Sequence, residues 1–339
     1  MRVRFLATIA TMVGGLAVAG SAHAIVIQNG ASDSAYINLG NSASYNSVGQ
    51  IYGTDSSGAF AASGVVIAQN WVLTAAHVTS GAQSLTFFLD SGGSWDSFAT
   101  RGGIAADRWY SYSKWTGNLT AGYDIGLFHL STAVGCGALL SSNGGCAAER
   151  YGGASELGHV GTEVGFGMTG TGSTGATTFD GLKRAGQNMV DAVLRTAGGS
   201  NRILLADFDS GSSADNNFGS SAPLSMEAMI GPGDSGGGLF ELLNGHNYLT
   251  GITSFGWGRL DGNPDSDYGD VGGWTRVADF NSWIDSIMTG STAGGGGGKG
   301  PRGAATDIRE TQVEIPEPVS AALLLVGLAG LGLSRRRTR

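Results

Sequence analysis

A serine set among glycines, Gly233-Asp234-Ser235-Gly236-Gly237-Gly238, is the densest candidate for nucleophilic chemistry in the chain. Glycine lets a backbone turn sharply and come close to a substrate, and paired backbone N–H groups in such a turn can face a developing oxyanion. With 60 glycines among 339 residues, the loop proves little alone. A hydroxyl nucleophile needs a base. Beyond residue 24 the histidines are His77, His129, His159 and His246. His77 ends Leu73-Thr74-Ala75-Ala76-His77, where small residues after an apolar strand let an imidazole project. Asp124 opens Asp124-Ile125-Gly126-Leu127-Phe128, a carboxylate leading into an apolar strand and expected to be partly buried. A buried carboxylate needs a partner, and a histidine N–H suits it. The three types together describe acyl transfer: Ser235 attacks, His77 acts as base and then acid, and Asp124 sets the tautomer and steadies the imidazolium.

The elements that must position these residues read as short strands. Candidates are 64–68 and 71–74, parted by a turn at Gln69-Asn70, then 84–89, 124–130, 159–165, 202–208 and 248–255. All are rich in β-branched and aromatic residues and bounded by Gly, Ser, Asn and Asp. The clearest helical pattern is 278–288, with Phe280, Trp283, Ile284 and Ile287 on one face and Asp279 near its start. Many strands closed by one helix predict an all-β fold of barrels or a sandwich.

Thr74-Ala75-Ala76-His77, Asp124-Ile125-Gly126-Leu127 and Gly233-Asp234-Ser235-Gly236-Gly237, in that order, resemble the trypsin/chymotrypsin family of serine endopeptidases, whose worked template supplies the roles above. Gly251 to Gly256 is similar to the family's cleft strand, and Gly272 to Val277 with the helix is similar to its C-terminal end. The resemblance covers about 25–289. It implies two antiparallel six-stranded β-barrels, 25–150 and 151–289, the second carrying the C-terminal helix. It also implies a polypeptide substrate, no catalytic metal, and an oxyanion hole from the N–H groups of Gly233 and Ser235. The primary pocket would be floored by Met229, with Ile230, Ser254, Gly256 and Gly272 around it. Met229 and Ile230 offer nothing to a lysine or arginine, so cleavage after apolar or small residues is expected. Asp234 would pair with a freed N-terminal amine, here that of Ile25. Val78 and Gly231 stand where the family commonly has cysteines, and Gly238 where it has proline. A lipase-type elbow also fits Gly233-Asp234-Ser235-Gly236-Gly237, but that fold needs its histidine after the serine, and only His246 follows. A catalytically silent surface or matrix binding protein on the same scaffold is the competing class.

The ends read as addresses. Residues 1–24 have the charged start, apolar run and Ala22-His23-Ala24 site of a secretory signal. Residues 316–339 combine Pro316-Glu317-Pro318, the apolar run 319–333 and four terminal arginines. This tail resembles the PEP-CTERM sorting signal of Gram-negative bacteria, which implies an exosortase-type processing enzyme and transient membrane anchoring through a transmembrane helix; a plain anchor is the alternative. Residues 290–315 form a Gly-rich linker. The chain carries −8 at pH 7, and its body is more acidic still, since six arginines sit in the end segments. Such a surface repels nucleic acid. Cys136 and Cys146, in the exported part, are expected to close a disulfide loop. Asp261, Asn263, Asp265 and Asp267 alternate like the start of a calcium loop, without the glycine and glutamate of an EF-hand; a solvated acidic loop is the other reading.

Overall fold

The computed structural model describes residues 25–90, 92–135, 145–196 and 201–290. The expected signal peptide, the linker after Gly290, the sorting tail and Cys136 lie outside these. The first seven strands are β1 (Val26–Ile27), β2 (Val48–Asp55), β3 (Gly58–Ala68), β4 (Trp71–Thr74), β5 (Ser84–Phe88), β6 (Ile104–Ser111) and β7 (Gly126–Leu130). Then come β8 (Glu149–Arg150), β9 (Val160–Gly165), β10 (Thr169–Thr171), β11 (Gly175–Thr178), β12 (Arg184–Met189), β13 (Ala192–Arg195) and β14 (Asn201–Asp207). The last are β15 (Ala228–Met229), β16 (Gly238–Leu243), β17 (His246–Trp257) and β18 (Val271–Arg276). Helices α1 (Asp33–Gly40), α2 (Ala76–Thr79) and α3 (Asn281–Thr289) complete the set.

Six strands close the first barrel in the order β2-β3-β4-β7-β6-β5. Apolar residues from its strands meet in one core, in which Val65, Leu73, Phe87 and Leu127 are buried. The second unit runs β12-β9-β16-β17-β18-β14, extended by β13 and flanked by β8. Asn188 of β12 donates to the Asp207 carbonyl at the end of β14 (2.8 Å), so the ends of this six-strand path meet. The fold is the expected chymotrypsin-like one, mostly β with a C-terminal helix. Between β16 and β17, Asn244 (φ 52°) and Gly245 (φ 83°) form a two-residue turn of the kind that matches strand twist.

Two segments cross between the units. Strand β1 pairs with β10 and β15 of the second unit, despite its place at the start of the chain. The C-terminal helix packs on the first barrel: Phe280 and Ile284 join a core shared by both units, and Tyr112 of the first unit meets the rings of Phe280 (4.9 Å) and Trp283 (5.4 Å). Its expected start at 278 is a 3-10 turn, Val277–Phe280, with regular helix from Asn281 to Thr289 and Gly290 closing it at φ 66°. Among the described residues, no helix is long and apolar enough to cross a membrane.

Candidate active site

Asp124 sits two residues before Gly126, the first residue of β7 and the partner of Thr74, which carries it against α2. It is fully buried, more than its sequence suggested. One carboxylate oxygen accepts the His77 backbone N–H (2.9 Å), and the other contacts His77 Nδ1 (2.7 Å). The second oxygen also accepts the Ser254 hydroxyl (2.6 Å), and Thr275 Oγ1 donates to the Asp124 carbonyl (2.8 Å). The imidazole is therefore fixed in position and tautomer, with Nδ1–H toward the carboxylate and Nε2 left for chemistry. Burial alone would push the His77 imidazole down; the Asp124 charge and hydrogen bond outweigh it and hold it above its ordinary value. The ring remains 28% exposed, open to a substrate.

The Ser235 loop is clamped between the units. Ser63 of β3 donates its N–H to the Ser235 carbonyl (2.9 Å) and its hydroxyl to the Gly233 carbonyl (3.1 Å). The Gly236 N–H bonds the Thr253 carbonyl (2.8 Å), next to the serine that holds Asp124. Thus nucleophile loop, β17 and carboxylate form one bonded chain. Gly236 must be glycine: its φ is 82°, and a methyl there would lie 1.9 Å from Thr74 Oγ1. Gly233 (φ 96°) is equally constrained, with the Gly167 Cα at 2.9 Å from such a methyl. Among the described residues the N–H groups of Gly233 and Ser235 have no acceptor, which leaves two donors free for a developing oxyanion. His77 and Ser235 Oγ share no hydrogen bond in this resting chain. Such bonds commonly tighten only around substrate.

The expected pocket residues divide. Met229 and Ile230 are buried, and Met229 packs with Val26, Phe208 and Trp274. Gly272 is buried opposite Gly256, while Gly256 is exposed and a methyl on it would meet nothing within 4 Å. Ser254, expected along the cleft, turns its hydroxyl onto Asp124. Gly256→Val is accordingly expected to fold with unchanged melting temperature while lowering kcat/KM for bulky residues about 10- to 200-fold, the scale of a few misplaced methylenes. Steady-state kinetics on alanine and phenylalanine substrates checks this, since the alanine substrate should lose less.

Asp234 is buried and holds two turns, accepting the Gly167 and Gly231 N–H groups (2.8 Å each). Ile25 is also fully buried, its carbonyl bonded by Thr169 Oγ1. Its φ of 57° is costly for a β-branched residue, about 1–3 kcal/mol. The acidic loop differs from its expected pattern. Asp265 and Asp267 cluster with Asp270, while Asp261 accepts the Asn263 backbone N–H and Asp265 accepts from the Asn263 side-chain amide. Asp270 lay outside the alternating pattern and carried no signal in the sequence. Cys146 is buried and no described cysteine is free.

Several buried carboxyls make stability depend on pH. Burial, ahead of all other causes, lifts Asp234, Asp209 and Asp270 to about 7 and Glu227 and Glu241 to about 8. Unfolded, these groups titrate near 4. Between about pH 4 and 8 the folded chain therefore binds more protons, and stability falls as pH rises. Melting temperature should be higher at pH 5 than at pH 8. A carboxyl displaced by one pH unit weighs about 1.4 kcal/mol, or roughly 3–5 °C. Differential scanning calorimetry of Ser235→Ala protein checks the sign.

Residues 37–284, well over half of the chain, match the family model described as Trypsin. The solved structure of HL collagenase is 20% identical with a TM-score of 0.53, covering 72% of this chain and 94% of that one. Neuropsin, a serine protease expressed in the limbic system of mouse brain, is 20% identical with a TM-score of 0.48, covering 70% and 93%. At such identity the likeness to HL collagenase concerns the fold. CLIP domain-containing serine protease B14 of Anopheles gambiae is 43% identical over 58 residues, which are 16% of this chain and 14% of that protein. The chain belongs to the trypsin family.

Proposed function

We propose that the chain hydrolyses peptide bonds through an acyl-enzyme formed on Ser235. His77 Nε2 takes the Ser235 Oγ proton as Oγ bonds the substrate carbonyl carbon, and the Gly233 and Ser235 N–H groups receive the resulting oxyanion. The C–N bond then breaks as His77 gives that proton to the leaving amine. Water repeats the sequence to release the acid and restore the serine. Asp124 stays ionised throughout. The observation that carries this reading is the fully buried Asp124 gripping His77 through both carboxylate oxygens. Stoichiometric labelling by a serine-reactive fluorophosphonate, lost in Ser235→Ala and His77→Ala, tests it; an unlabelled native chain would favour a silent binding protein.

Cleavage follows apolar or small residues, because the buried Met229 and Ile230 bring no charge to a basic side chain. Faster turnover of an arginine substrate than of leucine, phenylalanine or alanine substrates would overturn this preference. The enzyme is exported and displayed or released at the surface of a Gram-negative cell, its tail processed by an exosortase-type enzyme, and Cys136 pairs with Cys146. Removal of residues 1–24 frees the Ile25 amine to bond Asp234. The strained φ of Ile25 favours this, since a chain that starts there has no preceding peptide to strain.

A further inference from the structure

An anomalous side chain outside the proposed triad is Glu163 of β9. It is fully buried, and neither carboxylate oxygen has a hydrogen-bond partner among the described residues. An ionised carboxylate cannot be left so without several kcal/mol of cost, so it must hold a proton or receive a cation. Its surroundings follow from strand register. Glu163 lies directly opposite Gly186 of β12 and Leu239 of β16, so all three present the same face. Gly165, two residues on, shares that face as well.

Two glycines there leave room for other groups. A methyl at Gly165 would lie 2.2 Å from Asp234 Oδ1, so the Asp234 carboxylate occupies that space. A methyl at Gly186 would lie 2.1 Å from Ala228 Cβ, so β15 crosses there. Strand β15 is paired with β1, Ala228 to Ile27 and Met229 to Val26. Glu163 therefore lies beneath the first residues of the proposed mature chain, with Asp234 beside it.

The other titratable groups around this space bring no free positive charge. They are Asp234, Glu227 and Tyr36, whose hydroxyl is given to the Glu227 carbonyl (3.0 Å). Arg184 of β12 is buried nearby, but its guanidinium is bound by Asp33 (2.6 and 3.0 Å) and Asp180 (3.2 Å). Burial and the charges of Asp234 and Glu227 favour a protonated Glu163 in the uncut chain.

We infer that Glu163 is the second carboxylate of a binding site for the chain's own α-ammonium group, which Asp234 and Glu163 share once Ile25 is the first residue. The inference rests on the reading that removal of residues 1–24 frees that amine. Before the cut Glu163 is a neutral acid under β1. After it, Glu163 loses its proton to solvent and the ammonium supplies the missing counter-charge. A site with two acids holds the amine in its charged form to higher pH than Asp234 alone would.

The test compares the chain made with Ile25 first and the chain retaining Ala24, each with and without Glu163→Gln. In the Ala24 chain the amide removes an unpartnered buried acid and is expected to raise the melting temperature. In the Ile25 chain it removes a counter-charge and is expected to lower it, and to lower kcat/KM at pH 9 about 5-fold or more. The same sign of melting shift in both chains would overturn the role of Glu163 while leaving the Ile25 reading intact. Equal activity of the two chains with Glu163 in place would overturn the Ile25 reading, and this inference with it. If the amide does not fold, Glu163→Met, uncharged and of similar length, takes its place in the same comparison.

Discussion

Alanine at His77 or at Ser235 is expected to lower kcat about 10⁶-fold, the scale seen when a triad loses its base or nucleophile. The loss should be grossly non-additive. Once the base is gone the hydroxyl is no longer a nucleophile, so the double variant should be about as slow as either single one. A residue of roughly 10³- to 10⁴-fold over the uncatalysed reaction should survive in all three, because the free N–H groups of Gly233 and Ser235 still bind the oxyanion. The folds should also survive. The Ser235 side chain makes no hydrogen bond in the resting chain, and the loop is held by the backbone and hydroxyl of Ser63 and by Gly236. Turnover of a peptide ester, with melting temperature measured in parallel, checks both points. Additive losses in the double variant would mean that the two residues do not act as one unit.

Asp124→Asn should cost about 10⁴ in kcat, as it does in the template for this triad, and for a reason visible in the bonding. Asp124 receives three donors: the His77 N–H, the His77 Nδ1–H and the Ser254 hydroxyl. Asparagine offers one oxygen where aspartate offers two, so its NH₂ must face at least one of these donors. Either the imidazole turns to the wrong tautomer or a buried donor goes unpaired, which costs about 1–3 kcal/mol of stability. The pH profile should move with the rate. In the native chain the Asp124 charge holds His77 above its ordinary value, so activity rises with pH through a point above about 6.5. Without that charge, burial acts alone and the same limb should shift to lower pH. A profile of kcat/KM from pH 5 to 9 for both proteins decides this, and an unmoved acid limb would mean that Asp124 does not set the His77 proton.

The three candidate residues, His77, Asp124 and Ser235, were legible before any coordinates because each sits in a short local context. An imidazole after small residues at a strand end, a carboxylate opening an apolar strand and a serine between glycines are all one-dimensional signals. Strand positions such as 64–68 and 71–74 were readable for the same reason, since short runs of β-branched and aromatic residues bounded by Gly, Ser, Asn and Asp are local signals. Even the turn at Asn244-Gly245 has a local cause.

What tertiary structure alone decided is who becomes buried beside whom. Ser254 serves Asp124 across 130 residues, Ser63 grips a loop 170 residues away, and Asp270 joins an acidic group from outside its repeat. The C-terminal helix packs against the first barrel and β1 pairs into the second unit, although each stands at the opposite end of the chain from the unit it joins. Glu163 reads as an ordinary strand residue until register puts it on the same face as Gly165 and Gly186. Residue type and spacing carry what a side chain can do. Desolvation and long-range pairing determine its charge and its partners, and these depend on contacts that no stretch of sequence contains.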